Sequence, residues 1–132
     1  MAGSETVLVV EDQHELRELA KRVLGGHGYR VLVAANGVEA LKLAEQAGPI
    51  DLLVTDVIMP GMSGREVALL LSAMRPELKV LYVSGYPDES IVHHGVLEAG
   101  IAFLQKPFSP DALARRVRRV LDADRPPEAA TA

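Results

Sequence analysis

The sequence predicts an α/β fold of five βα units, a parallel five-stranded sheet enclosed by two layers of helices. Three observations predict it. Five short apolar runs, rich in β-branched residues, recur along the chain: Val7 to Val10, Val31 to Ala34, Leu52 to Val54, Val80 to Val83 and Ile101 to Leu104. Lacking polar alternation, such runs read as strands buried on both faces. Between them lie stretches of about a dozen residues with helical periodicity, an alternation that calls for a parallel sheet with right-handed crossovers. Lastly, four of the five runs end in a residue capable of chemistry: Glu11-Asp12, Asp56, Ser84 and Lys106.

Each helix is justified by spacing and caps. After the first run, Leu16, Leu19, Ala20, Val23 and Leu24 follow the i, i+3, i+4, i+7, i+8 rule, and Gly25-Gly26 is the expected stop. Asn36 with Glu39, and Ser63 with Glu66, have capping-box spacing and open the second and third helices. The third carries Val67, Leu70, Leu71 and Met74 on its expected inner face and ends before Pro76, whose ring disfavours helical geometry in the residue ahead. A fourth is expected from about Asp88 to Ala99, softened by Gly95, which costs about 1 kcal/mol relative to alanine. His93 and His94 within it point in different directions and form no metal pair. The fifth begins at Ser109-Pro110-Asp111, a cap, a preset φ and a negative charge at the positive end of the dipole, and buries Leu113, Val117, Val120 and Leu121.

With 132 residues and 48% hydrophobic content, the chain makes one domain with a three-layer core and leaves no room for a second. Met1 to Ser4 are expected to be loose, and residues from Asp124 to Ala132, without a periodic apolar face, to form a tail or linker stub. No cysteine is present, which excludes disulfides and thiolate chemistry and is compatible with a reducing compartment. No apolar stretch is long enough to span a membrane and no signal peptide is visible, so a cytoplasmic location without membrane contact is expected. A net charge of −4 argues against direct nucleic-acid binding. The basic cluster Arg115, Arg116, Arg118 and Arg119 reads as the solvated face of the last helix, and His14 and His27 show no recognisable partner.

In an open parallel sheet, ligands bind beyond the carboxyl ends of the strands where strand order reverses. With strand order 2-1-3-4-5, strands one, three, four and five are neighbours, and Glu11, Asp12, Asp56, Ser84 and Lys106 converge on one crevice. Three crowded carboxylates repel one another unless a cation neutralises them, and a hard divalent ion such as magnesium takes carboxylate oxygens, waters and phosphate. A carboxylate so placed can attack phosphorus, giving an aspartyl phosphate, provided the transferring group is stabilised from several sides. Lys106 and the metal supply positive charge, the Ser84 hydroxyl a hydrogen bond, and Gly85 the space for entry.

Val9-Val10-Glu11-Asp12, Asp56-Val57-Ile58-Met59-Pro60-Gly61 and Lys106-Pro107-Phe108 resemble the receiver domain of two-component response regulators, over Glu5 to Ala123. The resemblance implies a flavodoxin-like (βα)5 fold similar to that of the chemotaxis response regulator. It implies phosphoryl transfer from a phosphohistidine on a histidine kinase or histidine phosphotransfer domain, self-catalysed transfer and slow hydrolysis, without conventional enzymatic turnover. By the same resemblance Asp56 is the phosphoacceptor; Glu11, Asp12, Asp56 and the Ile58 carbonyl hold Mg²⁺ or Mn²⁺; Lys106 pairs with phosphate; Ser84 and Phe103 are switch residues; Ile58 and Tyr86 set phosphate lifetime. Lys106-Pro107 matches a family cis peptide, which X-Pro bonds tolerate.

Ser84 stands where threonine is frequent, and Phe103 lacks the hydroxyl a tyrosine would bring. Neither Ile58 nor Tyr86 can orient an attacking water, so slow dephosphorylation is expected. Ser84-Gly85-Tyr86 and Gly100 to Phe108 look similar to receivers joined to hybrid histidine kinases, so the output is either a separate protein or the chain's own kinase core. In the latter context the helix-one face near Leu16 and Leu19 docks a helical phosphotransfer partner.

Each assignment has a plainer rival. Asp12 alone reads equally as the N-cap of helix one with Glu15 completing a box; Asp56 as a turn residue; Ser84 as a loop hydroxyl; Lys106 as a solvated side chain; Phe103 as a core ring. A degenerate receiver acting only as a protein-binding module is the first alternative function. An aspartate-nucleophile phosphatase is a distant second, because such enzymes want a second Asp where Ile58 stands and carry a cap domain. A nucleotide-binding fold is disfavoured by the glycine-free first junction, Glu11 to His14.

Overall fold

The computed structural model describes residues 5–85 and 102–123. Nine elements follow in chain order: β1 (Thr6–Val10), α1 (His14–Gly26), β2 (Arg30–Ala34), α2 (Gly37–Gln46), β3 (Leu52–Asp56), α3 (Gly64–Met74), β4 (Lys79–Ser84), β5 (Phe103–Gln105) and α4 (Pro110–Asp122). The strands form one parallel sheet in the order β2-β1-β3-β4-β5, as expected. The helix expected at Asp88 to Ala99, with Gly95, His93 and His94, lies outside the described residues, as do Tyr86 and both termini.

The two-residue alternation of a strand decides which helices cover which face. Val7, Val9, Leu52, Val54, Leu81 and Val83 pack with Ala20 and Leu24 of α1 and with Leu113, Val117 and Leu121 of α4. Leu8, Val10, Leu53 and Tyr82 face the opposite way, onto Ala40 and Ala44 of α2 and Val67, Ala68 and Leu71 of α3. Burying each such leucine or valine contributes about 1.5–3 kcal/mol, so the central strands β1 and β3 anchor both layers. The edge strand β2 is only half buried over most of its length.

The capping expectations hold, with one shift of partner. Ser63 accepts from the Glu66 N–H and Glu66 accepts in return from the Ser63 N–H, a complete box. Asn36 accepts from the Glu39 N–H, but Glu39 reaches back to the Ala35 N–H instead of to Asn36. Ser109 caps α4 by accepting from the Ala112 N–H, with Pro110 in the first turn.

Four expectations need correction. Helix α1 includes both Gly25 and Gly26 and ends at Gly26 with His27 as its C-cap, and the left-handed residue that turns the chain is neither of the two expected glycines but Gly28, at φ +94°. The inner stripe of α3 is Val67, Ala68 and Leu71, rotated by one residue from the expected one, and it leaves Leu70 46% and Met74 47% exposed. The arginines of the last helix are not uniformly solvated. Arg118 binds Glu5 at 2.7 Å and Asp122 at 2.9 Å and donates to the Tyr29 hydroxyl, while Arg116 donates to the Phe103 carbonyl on the edge strand β5. Arg118 thus reaches residues just ahead of β1 and β2, and Arg116 reaches β5 itself. His14 does have a partner, Arg17, whose Nη2 lies 3.1 Å from its Nδ1.

Arg75, the C-cap of α3, ties the α2–α3 layer together. Its Nη2 donates to the Ala44 carbonyl at 2.7 Å and the Ala47 carbonyl at 3.3 Å, two groups that the end of α2 leaves without intrahelical donors. Arg75→Met strips both acceptors and is expected to lower stability by about 1–2 kcal/mol, read as a lower urea midpoint at unchanged slope. An unchanged midpoint would show that water replaces the guanidinium at no cost.

Candidate functional site

The strand ends bring the acidic and basic residues into one crevice. By alternation, Glu11 continues the Val7–Val9 face of β1, Asp56 the Leu52–Val54 face of β3, and Lys106 the Leu104 face of β5, so all three emerge on the α1–α4 side. The Lys106 ammonium lies 2.7 Å from Asp56 Oδ1 and 3.0 Å from Glu11 Oε1. Glu11 and Asp56 are buried. Ser84 is buried beside them, and its carbonyl accepts from the Lys106 N–H at 2.9 Å. The peptide bond that follows, Lys106-Pro107, is cis. Val9, Val54, Val83, Leu16, Ala20, Phe108 and Leu113 form an apolar floor under Glu11 and Asp56.

Asp12 does not cap α1. The N-cap is Gln13, with no side-chain cap, and it is Glu11 Oε2 that accepts from the Gln13 N–H at 3.0 Å. Asp12 is left exposed at the mouth of the crevice, with one oxygen in a group formed with Glu11 and Asp56 whose ligand atoms lie within 4.8 Å of one another. Arg17 reaches back from α1 and donates to the Glu11 carbonyl at 2.8 Å, fixing the turn that presents the pair. Ile58 and Phe103 are half buried against the α2–α3 side of the core, and Tyr86 lies outside the described residues.

The electrostatics follow from two buried carboxylates sharing one ammonium. Burial, and then the neighbouring Glu11 carboxylate, push the Asp56 carboxyl up to about 8 against the opposing pull of Lys106. Burial pulls Lys106 down, but its hydrogen bonds and charge attraction to Asp56 and Glu11 outweigh burial and hold it above its ordinary value. The lysine therefore stays charged, and the raised Asp56 value records the cost of packing a second buried carboxyl against a single ammonium. Three hard oxygen donors this close together fit a divalent cation of the magnesium type, which takes one or two carboxylates and completes its shell with water or phosphate.

Comparison with known proteins agrees with this geometry. The family model for the response regulator receiver domain matches residues 7–118, and the chain belongs to that family, the phosphoacceptor signalling domains of two-component systems. Among its relatives is the sensor kinase CckA of Brucella abortus, 40% identical over 123 residues, covering 92% of this chain and 13% of that protein. The response regulator MprA of Mycobacterium tuberculosis is 35% identical over 127 residues, covering 96% of this chain and 55% of that one. Among solved structures, the receiver domain of the hybrid histidine kinase CckA superposes with a TM-score of 0.75 at 41% identity, covering 89% of this chain and 99% of that chain. The chemotaxis protein CheY4 of Vibrio cholerae gives 0.77 at 30% identity, with the same coverage. The chain thus spans about an eighth and about half the lengths of the two curated relatives.

Three contributors were not legible as site residues: Arg17, Thr55 and Gly64. Thr55 is fully buried and donates its hydroxyl to the Asp56 carbonyl at 3.0 Å. Gly64, a poor helix former in the first turn of α3, was the one available signal, since such a residue marks a close approach of backbone.

Proposed function

We propose that Asp56 is the phosphoacceptor of this receiver, with Lys106, Ser84, Glu11 and Asp12 completing the site. The observation that carries the reading is the Lys106 ammonium bridging Asp56 and Glu11, with Asp12 beside them at the ends of adjacent strands. An Asp56 carboxylate oxygen attacks phosphorus as the N–P bond of a donor phosphohistidine breaks, its electron pair leaving with the imidazole nitrogen, which is reprotonated from solvent. Lys106 and the Ser84 hydroxyl face the phosphoryl oxygens, and little else is needed, because phosphoryl transfer is governed by positioning and electrostatics.

Glu11, Asp12, Asp56 and the Ile58 carbonyl are the proposed holders of Mg²⁺ or Mn²⁺. When bound, that ion supplies the charge that neutralises the transferring group. The mostly apolar floor excludes bulk water from below Asp56. Ile58 and Tyr86 offer no acid or amide to orient a hydrolytic water, so the acyl phosphate is long-lived. The donor is a histidine kinase or histidine phosphotransfer domain. The likeness to CckA favours a hybrid-kinase context, in which the Leu16–Leu19 face of α1 receives a helical partner. Among the described residues no helix is long and apolar enough to cross a membrane. The proposed site of action is cytoplasmic.

Intact mass after incubation with a small acyl-phosphate donor tests the reading. A gain of one phosphoryl group with magnesium, lost on chelation, is expected. A folded chain that gains nothing from either this donor or a histidine phosphotransfer protein would leave only the protein-binding module.

A further inference from the structure

Helix α3 begins directly on the backbone of Asp56. Gly64, its first residue, donates its N–H to the Val57 carbonyl at 2.8 Å, and Ser63 and Glu66 lock the turn around it. A β-carbon built on Gly64 would lie 1.8 Å from the Asp56 carbonyl oxygen, 2.8 Å from the Asp56 carbonyl carbon and 3.1 Å from Val57 Cα, where real β-carbons essentially never come within 3.0 Å. The obstacle is backbone, which no rotamer change can move aside. On the same carbonyl oxygen, Thr55 places its hydroxyl hydrogen bond.

From this arrangement we infer that Gly64 and Thr55 are positioning residues for phosphoryl transfer, holding the main chain of Asp56 so that its carboxylate stays against Lys106. The inference rests on the reading of Asp56 as phosphoacceptor. Neither residue touches the reacting atoms; both act through the Asp56 carbonyl. Any side chain at position 64 must move the start of α3 or the end of β3 by on the order of an ångström, and a misplacement of that size costs about a hundredfold in rate.

Gly37 supplies a matched control. A β-carbon there would also be crowded, at 2.9 Å from Met62 Sδ and from Val67 Cγ2, but its nearest neighbours are side-chain atoms and not the Asp56 backbone. The experiment compares the parent chain with Gly64→Ala, Thr55→Val and Gly37→Ala. It measures labelling rate against acyl-phosphate concentration with magnesium, folding by circular dichroism, and the Lys106 ammonium nitrogen resonance.

Gly64→Ala is expected to label about a hundredfold more slowly, with little change in the half-saturating donor concentration and with the Lys106 resonance displaced. Thr55→Val is expected to slow labelling about tenfold in the same pattern, and Gly37→Ala to label like the parent. A folded Gly64→Ala labelling within about twofold of the parent overturns the inference. If Gly64→Ala does not fold, Thr55→Val decides, and its labelling at the parental rate overturns the inference equally. A parent that takes no phosphoryl group refutes instead the reading of Asp56, which separates the two failures.

Discussion

Asp56→Asn is expected to abolish phosphoryl uptake and, unlike most changes at buried positions, to make the metal-free protein more stable. The loss of uptake follows because an amide oxygen is no nucleophile toward phosphorus, while the amide has nearly the shape of the carboxyl it replaces. The gain in stability follows from linkage. The Asp56 carboxyl is held at about 8, above its ordinary value of 3.8, so the folded state binds this proton more tightly than the unfolded state. Ionisation thus opposes folding: the penalty is absent below about pH 4, grows through neutrality and is complete above about pH 8. Asparagine removes it, a gain on the order of a few kcal/mol at pH 7, which raises the thermal midpoint by several degrees. The check is a pair of melting curves in chelator at pH 4 and pH 7.5. The two proteins should diverge at the higher pH alone, and magnesium should stabilise the parent more than the variant. Equal midpoints at both pH values would show that Lys106 already neutralises the aspartate.

Lys106→Met is expected to slow phosphoryl uptake by about a hundred- to a thousandfold, the typical cost of removing one charged or hydrogen-bonding group that stabilises a transferring oxyanion. Its effect on stability has the opposite sign to that of Asp56→Asn. Lys106 is the ammonium between Asp56 and Glu11, and methionine leaves the two buried acidic side chains without the cation between them. Removing the cation from such a cluster costs about 2–4 kcal/mol, toward the lower end here because the lysine is partly exposed. The raised lysine pKa contributes its stability throughout the range below the ordinary lysine value, so at neutral pH the whole contribution is lost. The loss should shrink as the pH falls below about 8, where the Asp56 carboxyl facing the lysine takes up its proton in the folded chain. Combining Lys106→Met with Asp56→Asn should recover most of the stability but none of the uptake. A double variant as unstable as Lys106→Met alone would place the lysine's contribution elsewhere, in the packing of its stem.

Much of the fold was legible because strand and helix signals are local. The strand runs and the caps at Asn36, Ser63 and Ser109 rest on residues no more than a few positions apart, and the structure places them where those signals fall, except that β5 starts after Ala102 and runs one residue past its expected end. The misjudged stripe of α3 shows the limit. Periodicity offered Val67, Leu70, Leu71 and Met74, but which arc faces inward depends on how the helix is rolled against β3, and Ala68 took the place of Leu70. The end of α1 shows it too: three glycines stand near one another, and only the backbone conformation distinguishes Gly28 as the turning residue.

The sequence by itself determined the βα alternation, the strand-end placement of Glu11, Asp12, Asp56, Ser84 and Lys106, and through them the family. Those properties are written in residue type and short spacing, which survive without coordinates. Only the tertiary structure decided that Lys106 holds both Asp56 and Glu11, that Glu11 and not Asp12 takes up a free N–H at the start of α1, and that Arg116 and Arg118 turn back onto the sheet. It alone set Gly64 against the Asp56 carbonyl. The reason is physical: the Glu11–Gln13 bond turns on the backbone conformation at the start of α1, and the other contacts join residues distant in sequence or depend on tenths of an ångström between backbones, none of which a local pattern encodes.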